Sequence, residues 1–163
     1  PPIPDGAPAL DPALLREIAV EVVRAVSTAD VDKIVAPEAM GIPVSTAVSL
    51  VTDVPMVVVR KRGYGLDGEV ALSTATGYDE NDMFVNDIEA GDSVLVLDDV
   101  LSTGGTLVEL LSAIEDIGAE IADVVVVIQK INGENALEET AYDPVSLVQV
   151  EMVDGEVVFV DET

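Results

Sequence analysis

The sequence predicts an α/β protein with a doubly wound, mostly parallel sheet, and three observations point there. Short aliphatic runs alternate with stretches of helical spacing. The apolar share is 49% while aromatics supply only 3%, as expected of aliphatic strands buried beneath helices. The chain has 163 residues, a length suited to one domain, since domains most often run about 100–150 residues. Residues 1–163 are therefore read as a single domain, without internal repeat, low-complexity tract or linker.

The elements follow in order. Residues 1–9 are Pro/Gly-rich coil, and the opening Pro1-Pro2-Ile3-Pro4 reads like the middle of a loop, so a truncated or processed N-terminus is expected. Asp11-Pro12 suits a helix start, with Pro in the first turn. Leu14, Leu15, Ile18, Val22 and Val26 then recur at helical spacing. Asp32–Ala36 reads as a short buried strand, Pro37–Gly41 as a loop, and Ser45–Val51 as part of a helix. Pro55–Val59 is a second strand, ending at Arg60-Lys61-Arg62. Residues 63–81 hold four glycines and one alternating stretch, Glu69–Thr74. They read as a mobile flap, for which a β-hairpin is one possible form. Ser93–Leu97 is a third strand, Gly105–Ile117 a helix stopped by Gly118, and Ile121–Gln129 a fourth strand. Asn132–Asn135 is a turn. Ser146–Val153 and Glu156–Val160 flank Asp154-Gly155, a hairpin signal, giving a C-terminal β-hairpin over about residues 146–160.

Charge narrows the function classes. Asp and Glu total 32 against 7 Lys and Arg, a net charge of −25. Such a chain repels itself in dilute buffer, whereas molar salt cuts the Debye length to about 3 Å and removes most of that repulsion. The high apolar content argues against disorder. The expectation is a protein adapted to a salt-loaded cytoplasm. No basic patch is available to release phosphate counterions, so nucleic-acid binding is not expected. No apolar run is long enough to span a membrane, and a cytoplasmic location is expected. With no Cys and no His, disulfides, thiolate metal sites and imidazole bases are excluded.

One segment carries chemistry. The apolar run Val94–Leu97 leads directly into Asp98-Asp99, then into Val100-Leu101-Ser102-Thr103-Gly104-Gly105-Thr106 and a helix. A buried parallel strand thus delivers two acids near its C-terminal edge, where open α/β sheets bind ligands. Gly104 and Gly105 allow a tight turn with exposed N–H groups, Ser102, Thr103 and Thr106 add hydroxyls, and the helix start adds a favourable dipole. Together they form a monophosphate cradle without lysine; no Walker A loop is present. Carboxylates beside it suit a sugar diol or a hydrated Mg²⁺.

This segment resembles the PRPP-binding signature of type I phosphoribosyltransferases: apolar residues, two acids, two variable residues, then a Thr-Gly-Gly-Thr-like turn. The resemblance extends over roughly residues 30–135, with the archaeal hypoxanthine phosphoribosyltransferases, especially their salt-loving members, as the nearest subfamily. It implies the type I fold with a flexible flap and a small hood. It implies that Asp98 and Asp99 hold the ribose hydroxyls and, through these or water, Mg²⁺, and that Ser102, Thr103, Gly104, Gly105 and Thr106 hold the 5′-phosphate. Ala39, Met40 and Gly41 fall where the family binds pyrophosphate, and Arg60-Lys61 matches a basic pair serving the same group. Lys130 falls near a lysine that contacts the purine 6-oxo group.

The implied activity is transfer of 5-phosphoribosyl from PRPP to hypoxanthine or guanine, giving IMP or GMP, by a protein that commonly forms a homodimer. Adenine use, or a catalytically weak PRPP-sensing regulator, are the alternatives. An orotate enzyme ranks low, since that family's flap supplies a lysine and none occurs between Lys61 and Lys130. Two departures matter. Met40 stands where adenine enzymes usually carry Arg, and Ser102 stands where many hypoxanthine–guanine enzymes carry a basic Asp. Glu69 and Asp99 remain the candidates for general base, with deprotonation left to water as the alternative.

Overall fold

A computed structural model describes residues 9–72 and 83–160. Six strands form one sheet in the order β2-β1-β5-β6-β7-β8, and β3 and β4 form a separate two-stranded unit. The elements in chain order are α1 (Pro12–Ala25), β1 (Lys33–Pro37), α2 (Gly41–Thr52), β2 (Met56–Val59), β3 (Val70–Leu72) and β4 (Met83–Val85). There follow β5 (Ser93–Leu101), α3 (Gly105–Ile117), β6 (Glu120–Lys130), β7 (Val145–Val153) and β8 (Glu156–Val160), with a 3₁₀ turn at Ala136–Glu139 between β6 and β7. Within the six-stranded sheet, neighbours from β2 through β7 run parallel and β8 is antiparallel to β7, while β3 and β4 pair antiparallel. This is the mostly parallel α/β sheet that the alternating pattern predicts. Among the described residues, no helix is long and apolar enough to cross a membrane.

Strand alternation explains the layering. Leu95, Leu97, Val125 and Val127 pack on one face with Ile18 and Val22 of α1 and Val44 and Val48 of α2. Val94, Val96, Val124 and Val126 pack on the other with Leu107, Leu110, Leu111 and Ile114 of α3. The central strands therefore need apolar residues at every position, which is why they read as continuous runs.

Beyond one-residue shifts at the ends of β1, β2, β6 and β7, the structure differs from the sequence reading in four places. β5 does not stop at Leu97; it continues through Asp98-Asp99 to Leu101, because Asp98, Val100 and Leu101 stay in register with Val126, Ile128 and Gln129 of β6. α2 starts at Gly41, four residues before Ser45, since Pro43 is tolerated in a first turn. The strand paired with β3 lies at Met83–Val85, beyond the flap boundary drawn at 81, and residues 73–82 lie outside the described residues. The turn at Ala136–Glu139 is an added element. Asn135 caps it, accepting from the Leu137 N–H at 3.1 Å.

Candidate functional site

At the C-terminal edge of the sheet, the ends of β1 and β5 and the start of α3 enclose a cleft of about 570 Å³. Its floor is the segment singled out from the sequence: Asp98, Asp99, Ser102, Thr103, Gly104, Gly105 and Thr106 all line it. The turn is fixed from behind. Ala136 donates its N–H to the Thr103 carbonyl at 2.8 Å, and Leu101 and Leu137 are buried in the same core cluster as Leu107 and Leu110 of α3. Gly104 has φ +77°, and a Cβ there would meet Asn135 Oδ1 at 2.9 Å. Both its left-handed backbone and its tight packing require glycine.

Gly105 is the opposite case: a Cβ there meets nothing within 4 Å. Gly104, the residue capping α3, makes no side-chain capping bond. Nor does Met40, the residue capping α2. The first N–H groups of an α-helix lack intrahelical partners, so α3 presents bare amides and positive dipole to the cleft. α1, by contrast, is closed by Asp11, whose carboxylate accepts from the Ala13 N–H at 2.8 Å.

The acid pair is electrostatically tense. Asp98 Oδ1 accepts the Asp99 N–H at 2.8 Å and would lie 3.1 Å from a Cβ on Gly41. Burial, with the adjacent Asp99 charge adding to it, pushes the Asp98 carboxyl up to about 7 against the pull of that hydrogen bond. A hydroxyl donor or a cation arriving at the pair would draw it back to the ionised form. Glu38 and Glu109 also line the cleft, so four carboxylates face one cation there, Lys61.

The other predicted residues are distributed unevenly. Lys61 reaches the cleft, whereas Ala39, Met40, Gly41, Arg60 and Lys130 are not among its lining residues. The Met40 side chain packs against the α1–α2 core cluster, which accounts for an apolar residue at that position. Arg60 joins β2 to the β3–β4 unit: its N–H donates to the Phe84 carbonyl at 2.9 Å, and its carbonyl accepts from Phe84 at 2.6 Å. Lys130 ends β6, half-buried and paired with Val150. Glu69 accepts from the N–H groups of Tyr64 at 2.8 Å and Gly65 at 2.9 Å, and from Asn86 Nδ2 at 3.0 Å. These donors, that of Tyr64 foremost, hold its carboxyl below the usual range. Such a carboxylate braces Tyr64 and Gly65 against Asn86, and these bonds favour its ionised form.

Glu38 escaped the sequence reading. It lies in the Ala36–Gly41 stretch, but its role comes from contacts across the fold. Its Oε1 accepts the Lys61 N–H at 2.6 Å, and its Oε2 stands 3.9 Å from Arg60.

Residues 10–160 match the family described as phosphoribosyl transferase domain. The chain belongs to that family. Its relatives among phosphoribosyltransferases include the HGPRTase-like protein 2 of Halalkalicoccus jeotgali, 62% identical over 99% of this chain and 85% of that protein. The HGPRTase-like protein of Halomicrobium mukohataei is 63% identical over the same shares. Among solved structures, the adenine phosphoribosyltransferase of Rhodothermus marinus superimposes with a TM-score of 0.73 at 25% identity, covering 85% of this chain and 81% of that one. That of Thermoanaerobacter pseudethanolicus gives 0.73 at 22% identity, covering 85% and 82%. This phosphoribosyltransferase therefore has its sequence relatives in salt-loving archaea and shares its fold with adenine enzymes.

Proposed function

We propose that this chain transfers the 5-phosphoribosyl group of PRPP to a 6-oxopurine, hypoxanthine or guanine, releasing pyrophosphate and forming IMP or GMP. One observation carries the reading: the acid pair and the uncapped, glycine-built start of α3 open on the same cleft. A ligand with a phosphate at one end and a sugar diol at the other meets complementary groups at both. The names of the halophilic relatives favour the 6-oxopurine.

In this reading the amides of Gly105 and Thr106, with the hydroxyls of Ser102, Thr103 and Thr106, grip the 5′-phosphate. Asp98 and Asp99 accept the ribose hydroxyls. The bond from C1′ to the pyrophosphate oxygen breaks with its electron pair leaving on pyrophosphate, and C1′ bonds to the purine nitrogen. The chain's contribution is to hold donor and acceptor in line and to meet charge growing on the leaving group. Of the two carboxylates considered for the purine proton, Asp99 is the one on the cleft.

Mg²⁺ fits the donor chemistry. Among the described residues no group of three or more His, Cys, Asp or Glu could hold a metal ion alone, so PRPP's own oxygens would be its main ligands. Asp98 and Asp99 would hold it through water or the ribose hydroxyls. Bound there, it would neutralise charge that Lys61 cannot balance alone.

Pairing into a cytoplasmic homodimer belongs to the same proposal, with Leu50 and Phe159, 78% and 71% exposed, as apolar surface open to a second copy. The deciding test is product identification from hypoxanthine, guanine and adenine with Mg-PRPP in molar KCl. IMP or GMP is expected; AMP alone would reassign the base. PRPP binding without turnover on any base would make the protein a sensor.

A further inference from the structure

Glu38 and Lys61 stand on the same wall of the cleft. Glu38 follows β1, while Arg60 and Lys61 follow β2, and one carboxylate ties the two loops together. The Glu38 N–H donates to the Val59 carbonyl at 2.9 Å. Its Oε1 accepts the Lys61 N–H at 2.6 Å, and its Oε2 is 3.9 Å from the Arg60 guanidinium. The Glu38 side chain is 23% exposed and that of Arg60 41%. The carboxylate is thus sheltered beneath a guanidinium that still meets solvent.

We propose that Glu38 is a positioning residue with two separable effects, resting on the reading that pyrophosphate leaves at this end of the cleft. As an acceptor, it fixes the Lys61 backbone at the cleft. As a charge, it occupies the Arg60 guanidinium and opposes an anion arriving beside Lys61. A phosphoryl group must arrive against the field of a fixed carboxylate, with Asp98, Asp99 and Glu109 also on the walls. Bare pyrophosphate is penalised in this field, whereas a pyrophosphate already bound to a divalent cation is penalised much less. Glu38 therefore selects the metal complex over the free anion, and it hinders rebinding of product once the metal is lost.

Glu38→Gln separates the two effects, because the amide oxygen still accepts the Lys61 N–H while the charge is gone. Calorimetric titration with sodium pyrophosphate in molar KCl, with and without MgCl₂, is the measurement. The Gln variant is expected to bind bare pyrophosphate about fivefold more tightly than the parent, the scale of one partly exposed charge contact. Its affinity for the magnesium complex should change far less. Glu38→Ala removes the acceptor as well, so the gain for the bare anion should vanish.

A Gln variant that binds bare pyrophosphate no more tightly than the parent would overturn the charge effect. Equal affinities in the Gln and Ala variants would overturn the positioning effect. The parent chain distinguishes this from failure of the site itself. If it binds neither magnesium pyrophosphate nor ribose 5-phosphate, the functional reading falls together with the role of Glu38.

Discussion

The two ends of the sheet handle charge in opposite ways. At the N-terminal end the polar groups close on one another. Lys33 Nζ lies 2.9 Å from Asp92 Oδ2 and 2.7 Å from the Asp87 carbonyl, and Asp92 also accepts the Glu89 N–H. Asp32 accepts the Ser93 N–H at 2.8 Å. At the C-terminal end the acids crowd together, and the helix amides lack a side-chain cap. The same sheet thus carries one edge whose charges are paired and one whose acids and helix amides face an open cleft. Substitutions at the two edges should therefore fail differently, one set in binding and the other in stability.

The largest effect is expected at Gly104. Gly104→Val brings a β-branched side chain to φ +77° and against Asn135. That strain costs about 1–3 kcal/mol, and relieving it must move the turn. Ribose 5-phosphate binding should fall by at least about 100-fold, since several aligned donors are lost together. Retained affinity in a titration would remove the turn from the phosphate site.

Asp99→Asn comes next. It leaves the backbone intact and removes one acceptor charge from the cleft, so PRPP affinity should drop about tenfold or more, with the melting temperature little changed. An unchanged affinity would take the acid pair out of the ribose site.

Asp98→Asn should separate the two properties. With its carboxyl pushed up to about 7, Asp98 resists ionisation in the fold. A folded value above the unfolded one means stability is lost as pH rises from the ordinary carboxyl range towards 7. Asn removes that loss and still accepts the Asp99 N–H, so at pH 8 the variant should be more stable by on the order of 1 kcal/mol. PRPP binding should be weaker, and its rise with pH through neutrality should disappear. Denaturant melts at pH 5 and pH 8 provide the check, and equal stability changes at both would contradict it.

The sequence made the open edge more legible than the closed one, for a physical reason. The cradle is contiguous: apolar strand, acid pair, hydroxyls and double glycine are consecutive from Val94 to Thr106, and local chemistry is enough to read them. The strand cores were equally plain, since residues such as Val94–Leu97 are buried on both faces. Glu38 and Lys33 take their meaning from partners 23 and 59 residues away, which no local pattern encodes. The sequence reading ends β5 at Leu97 because the apolar run stops at Asp98 and Asp99. Only pairing with β6 carries the strand beyond them. The three-residue strand Met83–Val85 is too short for any period to register.

Lys33→Met, at the closed edge, should give the smallest change and affect only stability. Attraction to Asp92, a direct hydrogen bond first of all, raises the Lys33 pKa above its ordinary 10.5. Asp92 is lowered below 3.8, mainly by the Glu89 N–H and then by Lys33. The lysine's contribution is complete below its unfolded value and is lost as pH rises through its higher folded value. The aspartate's is complete above its unfolded value and is lost as pH falls through its lower folded value. Between about pH 4 and pH 10 the pair is therefore fully charged in both senses, and Met should cost a constant amount across that window, about 1 kcal/mol. Met keeps the aliphatic stem packed, so the loss isolates the charge. Affinity for PRPP should not move, because the pair lies at the far end of β1 and β5 from the cleft. A variant of unchanged stability but weakened PRPP binding would mean that the two edges communicate through the sheet and are not independent, as the structure implies.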